Sequence, residues 1–163
     1  MSDSVVFKQA NLALNPIPFD DCEFDSISAF DFIEHIPRVL PKPNSEETRF
    51  PFIDLMNEVW RVLKPDGIFY AVTPAYPSPE AFQDPTHVNI ITCKTHEYFC
   101  GHKPFAAIYG FQGSFEAIEV RWVLKKNVQT QTSPLKQRMR EWHRRILKGQ
   151  KAGHLLWVLK AKK

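Results

Sequence analysis

Glycine is scarce in this chain: six residues among 163, at positions 67, 101, 110, 113, 149 and 153. No two of them make a Gly-x-Gly loop behind an N-terminal strand, so the close backbone approach to a cofactor that only glycine permits is not provided there. Cysteine is sparse too. Cys22, Cys93 and Cys100 are odd in number and follow no disulfide spacing, which points to a reducing compartment, the cytoplasm. No apolar run reaches the roughly 20 residues needed to cross a bilayer. The opening MSDSVVFKQ lacks the basic-then-apolar pattern of a secretory signal, and no membrane association is expected. Acids nearly vanish late in the chain: residues 121–163 hold 13 Lys/Arg and one acid, Glu141, while residues 1–120 hold 8 Lys/Arg and 17 Asp/Glu. The small net charge of +3 therefore hides an acidic body and a basic tail. Such a tail suits an anionic ligand, an acidic protein surface or a solvated helix face.

What is present is ordinary globular material, 44% hydrophobic and 24% charged, enough for one domain with its own core. Val5–Asn11 reads as a short strand running into a Pro-broken loop. Phe24–Phe30 alternates Ile27 and Ala29 with Ser26 and Ser28, as a strand does. Asp31–Ile36 allows a turn of helix, limited by Pro37 and Pro41. Phe52–Leu63 carries Ile53, Met56, Val59, Trp60 and Leu63 on one face of a helix. Lys64-Pro65-Asp66-Gly67 reads as a type I turn, and Ile68–Val72 as a central strand covered on both faces. Together these make a βαβ unit. Phe115–Lys125 predicts a strand with Ile118, Val120, Trp122 and Leu124 on one face, and Pro134–Lys148 a basic amphipathic helix. His154–Lys160 predicts a closing strand that forms an antiparallel pair at the edge of the sheet.

Four phrases in order carry a resemblance: NPIPFDDCEFDSI, AFDFIEHI, LMNEVWRVLKPDGIFYAVTP and DPTHVNIIT. They are similar to the class I S-adenosylmethionine-dependent methyltransferases, in particular the type 11 or ubiquinone-biosynthesis-like subgroup, and the likeness runs from about Val5 to the C-terminus. It implies an α/β fold with a Rossmann-like methyltransferase sheet, incomplete at its N-terminal side and ending in an antiparallel pair. Residues 1–163 are then a single domain that starts at the family's third strand. In the family's strand order, 3-2-1-4-5-7-6, the third strand touches only the second. The expectation is that Val5–Asn11 pairs instead with Phe24–Phe30, or that this edge recruits a second copy or a partner chain.

The resemblance implies S-adenosyl-L-methionine as cofactor, held by Asn11, Leu12, Phe30 and Asp31, with Asn11 standing where the family places an acid. It implies an acceptor, small or anionic, near Pro74, Tyr76, Asp84 and His87. Methyl transfer needs a positioned nucleophile and, for some acceptors, a base. His35 is the first candidate for that base, with Asp31 and His87 beside it as catalytic candidates. Bland readings stand next to these: Glu34 and His35 pair or solvate a short helix, Asp31 caps it, and Asp84-Pro-Thr86-His87 is an Asx turn that orders its loop. Cys93-x2-His96-x3-Cys100-x-His102 puts four zinc-capable side chains in ten residues, but zinc sites draw paired ligands from separate elements, and no metal is expected. The basic helix lacks an RNA-binding motif, and nucleic acid is not expected as a partner. The competing function is a non-catalytic module of the same fold that self-associates or docks a partner.

Overall fold

The structure, a computed structural model, describes residues 5–125 and 152–163. Its elements are β1 (Phe24–Phe30), β2 (Leu40–Pro41), β3 (Thr48–Arg49), α1 (Pro51–Val62), β4 (Leu63–Pro74), β5 (Phe115–Val123) and β6 (His154–Ala161). Single 3-10 turns at Ile33–His35, Pro79–Ala81, Thr95–Phe99 and Phe105–Tyr109 fill the connections. The predicted basic helix, with Leu135, Met139, Trp142 and Ile146 on its apolar side, lies outside the described residues.

Helix α1 forms where the three- and four-residue spacing predicts it, one residue earlier, with Pro51 at its first position. Proline is favoured there because its missing N–H has no helical partner to lose. The helix buries Phe52, Leu55, Met56, Val59 and Val62 and turns Asp54, Asn57 and Glu58 away from the core. It covers one face of the four-stranded sheet, whose order is β1-β4-β6-β5. Strand β1 runs parallel to β4, with α1 as the crossover between them, while β6 is antiparallel to both β4 and β5. Strand β4 is thus central, and its alternate residues explain its double coverage. Phe69 and Ala71 pack with Leu155, Trp157 and Leu159 in the main core, while Val72 joins Leu156 and Val123 in a second cluster.

Three expectations need correction. Val5–Asn11 is not a strand. Val5, Val6 and Phe7 are exposed, and the edge of β1 away from β4 has no paired strand among the described residues. The reason lies just downstream. Leu12, Ala13 and Ile17 pack onto the main core, and Arg61 of α1 donates to the carbonyls of Ile17 (2.9 Å) and Phe19 (3.0 Å). The Ile17 N–H donates to Glu58 Oε2 at 2.9 Å, so the segment is latched to the helix rather than to the sheet. The expected type I turn at Lys64–Gly67 lies instead inside β4, where the register with β1 is irregular between Leu63 and Ile68, and Asp66 takes φ 60°, which aspartate tolerates. In β5 the register with β6 slips between Ala117 and Glu119. That bulge swings Ile118 out to solvent and puts Val123, not Leu124, in the buried second cluster.

Candidate functional site

The parallel strands β1 and β4 both end at the same rim, and the chemistry gathers there. The Asp31 N–H donates to the Val72 carbonyl at 2.9 Å, extending the parallel ladder by one bond. Asp31 itself sits at φ 45°, which turns the chain off the sheet into the 3-10 turn Ile33–His35. That turn drops the Glu34 side chain inward, where it is 1% exposed. Thr73, on β4, donates its hydroxyl to Glu34 Oε2 at 2.8 Å. Glu34 Oε1 is buried with no hydrogen-bond partner among the described residues. Burial pushes the Glu34 carboxyl above its ordinary range, with the nearby Asp31 charge adding to the rise and the Thr73 hydroxyl opposing it.

The loop of the DPTHVN phrase is clamped over this turn. The Glu34 carbonyl accepts from the N–H groups of Val88 (3.0 Å) and Asn89 (2.9 Å). The Asn89 amide donates to the Ile33 carbonyl at 3.1 Å, and Arg38 Nε donates to Asn89 Oδ1 at 2.7 Å. A second Arg38 nitrogen donates to the Ile90 carbonyl. These bonds place His87 against His35, edge to face, with ring centroids 4.8 Å apart.

The partners of the two rings fix their tautomers. His35 Nδ1 is 3.2 Å from the Thr86 carbonyl and 3.0 Å from Thr86 Oγ1. The Thr86 hydroxyl gives its own proton to Asp84 Oδ1 at 2.7 Å, and the Thr86 N–H gives another at 2.8 Å. A carbonyl only accepts, so His35 Nδ1 carries the proton and Nε2 keeps its lone pair in the neutral ring. His87 Nδ1 faces the Ala81 carbonyl at 3.3 Å, which assigns the same tautomer. Glu34 Oε1 stands 4.0 Å from His35 Nε2, and Asp84 Oδ2 stands 3.9 Å from His87 Nε2. The Thr86 hydrogen bonds hold the Asp84 carboxyl below its usual range.

The predicted site residues therefore divide. His35, His87 and Asp84 fall in one cluster, and Asp84 makes the Asx turn through Thr86. Asp31 is at the same rim but turns to the antiparallel pair of β5 and β6: it pairs with Lys125 and lies 3.2 Å from His154 Nε2. Burial pushes His154 down, and Asp31 works against that. Phe30 is half-exposed beside Tyr70 on the second face of the sheet, with ring centroids 6.0 Å apart. Pro74 is buried at the end of β4, paired with His154, and Tyr76 is exposed next to Phe82. Asn11 and Leu12 belong to a turn on the α1 side. Asn11 Oδ1 accepts from the Ala13 N–H at 3.1 Å, and Leu12 lines a cavity of about 250 Å³ with Pro16, Ile17 and Arg49.

Thr73, Asn89 and Arg38 were not singled out by sequence, and Glu34 was named only as a neighbour of His35 on a short helix. Glu34 alone left a trace, a carboxylate flanked by Phe32, Ile33 and Ile36, but a single turn of helix has too little periodicity to reveal which side is buried. A larger cavity, about 480 Å³, lies beyond Arg38 and is walled by Phe50, Phe52, Tyr98, Phe99 and Tyr109, with Lys94 at its lining. Cys93, His96, Cys100 and His102 do not form a group within mutual reach; among the described residues Glu34, His35 and His87 do, their ligating atoms all lying within 4.8 Å of one another. His96 instead leans on Trp157 at 6.1 Å, and burial pushes the Cys100 thiol up to about 11.

The backbone as a whole matches solved structures. A chain from the Haloferax volcanii complex between the Trm112 methyltransferase activator and a methyltransferase-class protein superposes with a TM-score of 0.53, at 13% identity, over 94% of this chain and 60% of that one. The fold is the Rossmann-like methyltransferase fold. Its sheet order here, β1-β4-β6-β5, is the 4-5-7-6 half of the expected 3-2-1-4-5-7-6, ending in the expected antiparallel pair. The [4+2]-cyclase SpnF shares the fold at a TM-score of 0.50 and 14% identity, over 99% of this chain and 57% of that one. A SAM-dependent methyltransferase from Archaeoglobus fulgidus is similar at a TM-score of 0.48 and 16% identity, over 94% of this chain and 66% of that one. The chain thus spans about 60% of the length of the first of these structures. No protein-family model and no curated protein sequence matches it. No helix among the described residues is long and apolar enough to cross a membrane.

Proposed function

We propose that the chain carries the acceptor side of an S-adenosylmethionine-dependent methyltransferase, of the type 11 or ubiquinone-biosynthesis-like kind, acting on a small acceptor with an oxygen, nitrogen or carbon nucleophile. The observation that carries this reading is the convergence of Glu34, His35 and His87 at the carboxyl ends of β1 and β4 in a methyltransferase fold. In open α/β sheets that rim is where ligands bind. His35 takes the acceptor's proton: its Nδ1 is occupied by Thr86, and its Nε2 lone pair is left for the substrate. Asp31 and Phe30, at the end of β1, are the residues of this rim assigned to the donor. The aromatic cavity beyond Arg38 holds the body of the acceptor, and Arg38 and Lys94 favour one that bears an anionic group. Incubation of the chain with methyl-labelled cofactor and a metabolite extract tests this. His35→Asn lowers labelled product by about a hundredfold or more while cofactor binding is kept; equal product from both proteins contradicts the assignment.

The edge of β1, unpaired among the described residues, favours one further element of the reading. An open edge with Phe30 half-exposed above it suits strand addition by a second copy or a partner chain that completes the donor side. The same edge serves the non-catalytic alternative, a docking module of this fold. Sedimentation across salt concentrations separates these from a free-standing domain: association in the micromolar range supports completion at the edge, and a monomer at all salts removes it.

A further inference from the structure

The rim cluster has the composition and the second layer of a metal site. We propose that Glu34 Oε1, His35 Nε2 and His87 Nε2 bind one divalent first-row transition-metal cation, with Zn2+ as its representative. Four observations lead there. Both imidazoles have Nδ1 committed, His35 to Thr86 and His87 to the Ala81 carbonyl, so both present the Nε2 lone pair. Metal-bound histidines are held in this way, with the second ring nitrogen donating to a carbonyl or a polar side chain. Glu34 is anchored through Oε2 by Thr73, while Oε1 is buried and has no hydrogen-bond partner among the described residues. An unpartnered carboxylate oxygen in the interior is costly, and a cation is a natural counterpart for it.

The spacing also fits. One ligand atom from each of the three residues lies within 4.8 Å of the others, with Glu34 Oε1 4.0 Å from His35 Nε2, and tetrahedral ligands about 2.1 Å from a shared ion stand about 3.4 Å apart. The longest of these separations must shorten by about 1.4 Å when the ion enters. His35, a third exposed, is the least enclosed of the three side chains. Two imidazoles and one carboxylate select a borderline cation over Mg2+ or Ca2+, which prefer all-oxygen shells. Three protein ligands leave a position open for water or for an oxygen-bearing ligand. A cation there takes the lone pair that His35 otherwise uses as a base, and acidifies a bound oxygen in its place.

The site shares its residues with the proposed acceptor site, yet its test needs neither cofactor nor acceptor. A chain that binds Zn2+ and not S-adenosylmethionine overturns the methyltransferase reading alone, and the converse overturns this one alone. The full chain, stripped with a chelator and desalted, is titrated with Zn2+ by calorimetry and with Co2+ by visible absorption. One ion per chain with a dissociation constant near the micromolar range is expected. Glu34→Gln and His87→Asn each weaken it about tenfold or more, and His102→Asn leaves it unchanged. Circular dichroism checks that each variant is folded, and His87→Asn, in a loop, serves if Glu34→Gln does not fold. No saturable binding at about 1 mM Zn2+ by the folded chain overturns the proposal. So does one-to-one binding that the folded variants keep at full affinity, or that His102→Asn removes.

Discussion

Thr86 and His35 form a relay: the Thr86 hydroxyl gives its proton to Asp84, and the Thr86 oxygens take the proton of His35 Nδ1. Three residues from two distant stretches of chain thereby decide which nitrogen of His35 is free. Without the hydroxyl, the Thr86 carbonyl at 3.2 Å remains as the acceptor for that proton among the described residues.

The relay predicts a graded response at Thr86. Thr86→Val weakens Zn2+ binding about tenfold without unfolding the chain, and Thr86→Ser restores it. Calorimetry on the two variants checks this; equal affinity in Val and Ser means that the hydroxyl does not position the ring.

Thr73 is predicted to matter for stability. Thr73→Val keeps the shape of the side chain but leaves Glu34 with no hydroxyl partner for Oε2. The expected loss is about 1–3 kcal/mol, read as a lower urea midpoint at unchanged slope. A change within the error of the measurement would mean that the carboxyl is already satisfied by water.

Arg61 latches the segment before β1 to α1 through Ile17, Phe19, Asp21 and Glu58, and those charge-assisted bonds hold its pKa above the ordinary value. Arg61→Ala removes all of them and leaves two backbone carbonyls and Glu58 to water. The expected cost is about 1–3 kcal/mol, with faster proteolysis in residues 12–21 as the local signature. Global destabilisation with no change at that segment contradicts the latch.

The pH dependence follows from His154 and His96, both pushed down chiefly by burial. Asp31 and Glu80 act against the shift at His154, Lys125 adds to it, and Glu97 acts against it at His96. An unfolded histidine protonates near pH 6.5, whereas the folded rings stay neutral to lower pH. The unfolded state then binds more protons, so stability is full above about pH 6.5 and falls as the pH drops below it. Urea midpoints at successive pH values check this, and His154→Gln flattens part of the fall. Cys100 acts at the other end: its thiol titrates near 11 in the fold against about 8.5 when exposed, so stability also falls as pH rises through that interval.

Much of the frame was legible in the sequence because it rests on periodicity. The stripe of Met56 and Val59, the apolar run at Ile68–Val72 and the alternation in Phe24–Phe30 each report local burial, and together they gave β1, α1 and β4. What failed depended on long-range competition. Val5–Asn11 looks like a strand, but the Arg61 side chain draws its continuation to the helix instead. Ile118 alternates correctly, but a bulge rotates it to solvent. In the site, His35 and His87 were visible as residue types, whereas the burial of Glu34 and the hydroxyl of Thr73 beneath it depend on a chain reversal at Asp31 that no short pattern encodes.

The central claim is that this rim serves methyl transfer, and the most direct measurement is calorimetric titration of the full chain with S-adenosylmethionine. The account predicts one site with a dissociation constant near the micromolar range, weakened by Asp31→Ala. No heat of binding at millimolar cofactor, in a chain shown to be folded, would contradict it and leave the fold serving as a docking module.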